Sequence, residues 1–202
     1  DPDRVLLRSI AAGRLPSIIL WGPPGTGKTT LARLVASSTQ SDFQSVSAVT
    51  SGVADLRRIV AEARDRKGMH QQSTILFVDE IHRFNKAQQD VILPHVETGT
   101  FTFIGATTEN PSFEVIAPLP SRSHVYTLQQ LSADDLSAIL ERALSDAERG
   151  LGGLGASLEP RAMDQLVAMA GGDARAALNA LDMAVQATPT DAGGKRRVGL
   201  ST

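Results

Sequence analysis

The sequence predicts an α/β fold, a parallel sheet wrapped by helices with a small all-helical domain after it, and three observations carry the prediction. Short apolar runs alternate with segments of helical periodicity through the first two-thirds of the chain. The run Ile75-Leu76-Phe77-Val78 is continuously apolar, as a parallel strand buried on both faces should be. After about residue 131 the strand-like runs stop and only helical patterning continues.

The elements follow in order. Val5, Leu6 and Ile10 mark an opening helical pattern, and five strands are expected at 17–21, 43–48, 74–78, 101–106 and 124–128. Leu31, Leu34 and Val35 give a helical pattern after the first strand. The spacing of Leu56, Ile59, Val60 and Ala63 at i, i+3, i+4 and i+7 predicts a helix over 55–66. The next helix, over 85–97, presents Val91, Ile92 and Val96, and Pro94 should kink it or open its last turn. Ser132 followed by Asp134 and Asp135 reads as a capped helix start, with acids where the dipole favours them, and that helix should run to about Arg149. A Gly-rich linker at 150–155, helices at 159–170 and 173–187 and a surface loop at 189–197 complete the chain, with no strand expected beyond residue 131.

Composition narrows the classes. At 202 residues, 42% hydrophobic and 21% charged, the chain can bury an adequate core for one α/β domain and an appendage. A net charge of -2 provides no global field for nucleic acid or acidic membranes. The chain has no cysteine, which excludes disulfides, thiolate zinc sites and a cysteine nucleophile. No apolar run approaches the roughly 20 residues of a membrane span. A start without Met, and an end at Ser201-Thr202 that would suit the N-cap of a further helix, lead us to expect an excised fragment.

The motif with the most chemistry is Gly22-Pro23-Pro24-Gly25-Thr26-Gly27-Lys28-Thr29, directly after the apolar run ending at Trp21. Its spacing is that of a phosphate-binding P-loop. Glycines allow the backbone to present consecutive N–H groups to phosphate oxygens. Lys28 supplies a mobile charge for the β- and γ-phosphates, the Thr29 hydroxyl suits Mg²⁺, and Thr30 completes the nucleotide-binding run. The fold class is therefore that of a P-loop NTPase with a parallel five-stranded sheet, and the expected partition is a nucleotide-binding domain at 1–130, a helical lid at 131–190, and a surface loop opening into a following segment at 191–202.

Val78 is followed by Asp79-Glu80, two acids at the carboxyl end of a buried strand, the end that faces the ligand crevice in open α/β sheets. Asp79 would hold Mg²⁺ through its water shell, and Glu80 would orient and deprotonate an attacking water. The competing reading is a pair of acids capping a helix start at 81–83. Asp79-Glu80-Ile81-His82 also matches the D-E-x-H box of superfamily-2 helicases, which need two tandem lobes where this chain has room for one. His82 alone reads as a surface or helix-start residue, and His70, His95 and His124 lack ligand spacing.

The fourth strand candidate ends in Thr107-Thr108, where a hydroxyl can touch both water and γ-phosphate. Thr108 is preferred over Thr107 for this sensor role, against the reading of two β-branched residues finishing a strand. Arg175 falls in the first turn of the helix that Asp173 caps, where a cation opposes the dipole as Lys28 does, so a nucleotide phosphate is its natural partner and a plain exposed arginine the alternative. Arg122, in Ser121-Arg122-Ser123 before the last strand, is either a finger into a neighbour's site or a surface residue.

Together these motifs resemble an AAA+ ATPase of the clamp-loader clade. More narrowly, the stretch Asp79-Glu80-Ile81-His82-Arg83-Phe84-Asn85-Lys86, with residues 17–34 and 105–114, is similar to the replication-associated recombination protein A family, whose eukaryotic members are the Werner helicase-interacting proteins. The resemblance implies ATP and Mg²⁺, hydrolysis stimulated by DNA ends, gaps or forks, homo-oligomers (a tetramer in the full-length protein), and work at stalled replication forks beside partners such as single-strand-binding protein. It implies sensor 1 at Thr108, an arginine finger at Arg122 and sensor 2 at Arg175, and a bacterial cytoplasmic, nucleoid-associated setting, or a nuclear one in a eukaryote. Where the family reads Asn-Ala-Ala-Leu-Leu-Ser-Arg-Cys, this chain has Ile116-Ala117-Pro118-Leu119-Pro120-Ser121-Arg122-Ser123, so the helix that aims the finger is expected to be shortened or absent.

The alternatives are a clamp-loader subunit, a branch-migration motor, or an ATP-switched scaffold with little turnover; the last has no need of Glu80 as a base. A small-molecule kinase is disfavoured by Asp79-Glu80 and the lid arginine. The basic clusters at 64–67 and 195–197 read as solvated faces as readily as phosphate tracks, and 4% aromatic content disfavours a base-stacking surface.

Overall fold

The computed structural model describes residues 2–11, 15–115 and 119–199. The chain divides into two compact units: Asp1–Gly22 with Gly27–Leu128, and Pro23–Thr26 with Gln129–Thr202.

In the first unit α1 (Pro2–Ala11) precedes β1 (Ile18–Trp21), α2 (Lys28–Ser38), β2 (Asp42–Ser47), α3 (Val53–His70) and β3 (Thr74–Asp79). A 3-10 turn at Ile81–Arg83, α4 (Lys86–Glu97), β4 (Thr102–Thr107), the short α5 (Pro111–Glu114), a second 3-10 turn at Pro120–Arg122 and β5 (His124–Thr127) follow. The five strands form one parallel sheet in the order β2-β3-β4-β1-β5. The expected strands match the observed ones to within one residue at either end.

Alternation along each strand sends side chains to two faces. Ile19, Leu76, Val78 and Phe103 pack with Leu56, Ile59 and Ala63 of α3 and Ile92 of α4. Ile18, Leu20, Ile75, Phe77 and Ile104 pack with Ala32, Val35 and Ala36 of α2. Helix α4 starts on a reciprocal cap, Asn85 Oδ1 accepting from Gln88 N–H at 2.9 Å and Gln88 Oε1 from Asn85 N–H at 2.8 Å. Pro94 lies inside α4 without ending it. The carbonyl deprived of a donor, that of Asp90 one turn earlier, belongs to an exposed residue and can bond water.

The second unit holds α6 (Ala133–Ser145), a 3-10 turn at Gly152–Leu154, β6 (Ala156–Leu158), α7 (Pro160–Ala170), α8 (Ala174–Ala187) and β7 (Arg196–Val198). Leu136, Leu140, Leu181, Val185 and Val198 form its core. Two expectations fail here. Helix α6 stops four residues before Arg149, because Asp146 Oδ1 accepts the N–H groups of Glu148 and Arg149 at 3.0 and 2.9 Å and Leu151 N–H returns to the Ala143 carbonyl at 2.6 Å. The region after 131 is not strand-free, since β6 and β7 pair in parallel and Val198, 2% exposed, joins the core. The loop assigned to 191–202 therefore contains a strand of this unit, and the expected Gly-rich linker contains a 3-10 turn. Strands of three residues carry no alternation long enough to read, and a pairing that joins Ala156 to Arg196 is invisible locally.

Candidate nucleotide-binding and hydrolysis site

At the carboxyl end of β1 the chain turns at Gly22, whose φ of 155° suits glycine and where a Cβ would lie 2.3 Å from the Leu128 carbonyl oxygen. Gly22 N–H donates to the Thr107 carbonyl at 3.2 Å, which ties the loop base to β4. Gly27, at φ 86°, is the N-cap of α2 and makes no side-chain cap. The first turn of α2 carries no acid, and it holds Lys28, Thr29 and Thr30. First-turn N–H groups lack intrahelical acceptors and the dipole there favours an anion, so a phosphate fits this position. Lys28 Nζ donates to the Gly22 carbonyl at 2.7 Å, which brings the ammonium across the loop base.

The loop tip Pro23–Thr26 belongs to the second unit. Thr26 Oγ1 donates to the Pro23 carbonyl at 2.9 Å. Gly25, at φ 70°, lies so close to Asp173 that a Cβ would stand 1.8 Å from its Oδ1, and the Gly25 carbonyl accepts the Ala174 N–H at 3.2 Å. Asp173 Oδ1 in turn accepts the N–H groups of Arg175 and Ala176 at 2.8 and 3.0 Å as the cap of α8. Arg175 is thus an exposed residue in that helix's first turn, a few bonds from the loop tip. Gly25→Ala combines a steric collision with a left-handed backbone that costs about 1–2 kcal/mol by itself. The variant is expected to melt several degrees lower than the parent and to lose nucleotide affinity; unchanged thermal unfolding and unchanged binding would refute this reading of the loop tip.

The acids close β3. Asp79 is half-buried, its Oδ1 accepting the Glu80 N–H at 3.1 Å. Glu80 adopts φ 56° and ψ 46°, one of three non-glycine residues with positive φ among those described. A left-handed acid at the end of a buried strand costs free energy, and such strain concentrates at functional positions. Glu80 makes no side-chain cap to the following turn, so the capping alternative does not account for it. Its Oε2 lies 2.9 Å from Arg83 Nε and 4.0 Å from His82 Nε2.

Thr107 is the last residue of β4 and stands opposite Trp21 in the sheet register. It is 2% exposed, and its Oγ1 lies 2.9 Å from His82 Nδ1. Thr108, the preferred sensor, is exposed just beyond the strand. The first unit therefore brings Gly22, Lys28, Asp79, Glu80 and Thr107 to the carboxyl ends of β1, β3 and β4. His82, Arg83 and Thr107 are the residues that sequence reasoning passed over. Only the register Val78 to Gly105, between β3 and β4, brings positions 82 and 107 together.

Arg122 lies elsewhere. The 3-10 turn that carries it immediately precedes β5, and His124 pairs with Ile18 at the start of β1, so Arg122 stands at the amino ends of the strands. That edge is opposite to the one bearing Gly22 and Asp79, about 10 Å or more away along the strands. As expected, the helix before the finger is short: α5 has four residues, Pro118 lies outside the described residues, and Pro120 begins the turn, where its fixed φ and missing N–H are tolerated. Leu119, fully buried, anchors the turn, and Arg122 Nη2 pairs with Glu97 Oε1 at 2.9 Å.

Residues 18–130 match the model of the ATPase family associated with various cellular activities (AAA). The chain belongs to the AAA family of ATPases. This AAA chain is 51% identical over 191 residues to Replication-associated recombination protein A of Escherichia coli K12, across 95% of its own length and 42% of the relative's. It is 42% identical over 200 residues to the ATPase WRNIP1 of Dictyostelium discoideum, across 97% of its own length and 22% of the relative's. Among solved structures it resembles the RuvB Holliday junction branch migration motor of Thermotoga maritima, with a TM-score of 0.75 and 28% identity across 98% of this chain and 63% of that one. The chain thus spans less than half the length of these curated relatives. No helix among the described residues is long and apolar enough to cross a membrane.

Membership of the AAA family implies ATP binding, and the phosphate-shaped loop is the candidate place for it. Among the described residues no group of three or more acids and histidines could hold a metal by itself. Mg²⁺ keeps several waters and needs only one or two protein oxygens beside the phosphates, and Thr29 and Asp79 would be the residues to supply them. Bound there, Mg²⁺ would neutralise charge on the β- and γ-phosphates.

Proposed function

We propose that this chain is the ATP-hydrolysing core of a DNA-dependent AAA ATPase acting in replication-fork maintenance and recombination. The observation that carries the reading is the convergence of the Gly22–Lys28 loop, Asp79, Glu80 and Thr107 on one edge of the sheet, with Arg122 on the other. Lys28 and the α2 amides hold the triphosphate, Glu80 orients and deprotonates the attacking water, and Thr108 and Arg175 sense the γ-phosphate. Arg122 serves the site of a neighbouring copy, so a homo-oligomer is the working form and the isolated chain is slow. Support for a DNA substrate comes from the likeness to Replication-associated recombination protein A, and the likeness to bacterial relatives also supports a bacterial cytoplasmic setting. The likeness to the RuvB motor supports a reading in which hydrolysis drives movement on DNA.

The test is steady-state ATP hydrolysis by the full-length protein with no DNA, blunt duplex, and gapped or forked DNA. We expect turnover stimulated by gaps or forks and abolished by Lys28→Ala. Tight nucleotide binding with no turnover on any DNA would instead establish an ATP-switched scaffold.

A further inference from the structure

We infer that His82 is a positioning residue for Glu80, its ring held in one tautomer by the Thr107 hydroxyl. The inference rests on the reading of Glu80 as the group that orients the attacking water.

The ring is held at Nδ1 and faces Glu80 with Nε2. Its side chain is 12% exposed, in the middle of a 3-10 turn whose first residue, Ile81, is fully buried. Nδ1 lies 2.9 Å from Thr107 Oγ1, and Nε2 faces Glu80 Oε2 at 4.0 Å. A neutral imidazole donates from one nitrogen and accepts at the other. If Nδ1 carried the proton, the bare lone pair of Nε2 would face a carboxylate. If Thr107 donates to Nδ1, Nε2–H points toward Glu80 and no two acceptors oppose each other. Thr107 Oγ1 accepts the Glu109 N–H at 3.0 Å and has one proton to give, to Nδ1 at 2.9 Å or to the Glu109 carbonyl at 3.2 Å, and the shorter contact is the one to Nδ1.

Arg83 grips the same Glu80 oxygen at 2.9 Å, but its side chain is 60% exposed, against 12% for His82. Of the two groups beside the carboxylate, the ring is the less exposed and the one anchored on a buried hydroxyl. Thr107 also accepts the Gly22 N–H through its carbonyl. The phosphate loop, the tip of β4, the ring and Glu80 therefore lie in one line of neighbouring polar contacts.

The test uses the full-length protein with DNA and reads kcat, KM and the affinity for a fluorescent ATP analogue. His82→Asn keeps an acceptor for Thr107 and cannot reach Glu80, whereas His82→Gln puts an amide donor near the Nε2 position. We expect kcat to fall about tenfold in the Asn variant with KM unchanged, as for a modest misplacement of a reacting group, and the Gln variant to recover most of it. Thr107→Val should lower kcat in the same direction, and the Asn–Val double variant should be no slower than Asn alone. In a Glu80→Gln background none of these changes should have a further effect. Equal rates for the Asn, Gln and parent proteins, effects that persist without Glu80, or loss of nucleotide binding together with a lowered melting temperature would each overturn the inference. Wild-type hydrolysis by Glu80→Gln itself would instead overturn the reading of Glu80.

Discussion

Glu80→Gln is expected to bind ATP as the parent does and to hydrolyse it about 10²–10⁴-fold more slowly. The amide keeps the size and polarity of the side chain but cannot take a proton from water. Folding should be nearly untouched, since Gln40 and Gln71 already occupy left-handed backbone in this chain. The substitution removes the ion pair with Arg83, in which the Arg83 and Glu80 side chains are 60% and 41% exposed, and such pairs contribute at most about 1 kcal/mol. A binding isotherm and a single-turnover rate on the same sample separate the two effects. A variant that turns over at the parent rate would show that water is activated elsewhere, and the left-handed turn at Glu80 would need another explanation.

Arg122→Ala should lower hydrolysis in the assembled protein by about 10³–10⁵-fold while leaving ATP affinity within a few-fold. The reason is geometric. A residue at the amino edge of a parallel sheet cannot reach a phosphate held at the carboxyl edge of the same sheet, so any catalytic part it plays is in a neighbour's site. The turn that presents it is rigid, being pinned by Leu119 and begun by Pro120. The pair with Glu97, with side chains 46% and 43% exposed, orients the guanidinium without stabilising the fold much. Melting temperature should therefore hardly change, and activity should collapse. Parent-like activity in the assembled Arg122→Ala protein would make this arginine a surface residue.

Much of the first unit was legible because its physics is local. Strands buried on both faces leave apolar runs, and glycines at positive φ leave a spaced motif, so the sheet and the loop could be read from residues 17–128 directly. Arg122 could be named but not placed, because its edge of the sheet follows from the parallel pairing of β5 with β1, which four residues of strand do not announce. The network of His82, Thr107 and Glu80 was beyond reach for a related reason: 25 positions separate His82 from Thr107, and the β3–β4 register alone joins them. Thr107, ranked below Thr108 for the sensor role, finishes β4, and its hydroxyl is also engaged. In the second unit Asp146 ended α6 early through its own side chain, and β6 with β7 depended on a pairing across the whole unit. Side-chain caps and short distant pairings leave little periodic trace.

In the proposed mechanism each ATP is hydrolysed in a site built by two copies, with Glu80 from one and Arg122 from the other. Mixing the Glu80→Gln and Arg122→Ala full-length proteins and measuring steady-state hydrolysis tests it most directly. Each protein should be nearly inactive alone. The mixture should regain a substantial fraction of parent activity, because some interfaces then pair an intact Glu80 with an intact Arg122. Two inactive proteins that stay inactive when co-assembled, or an Arg122→Ala protein active by itself, would contradict the account.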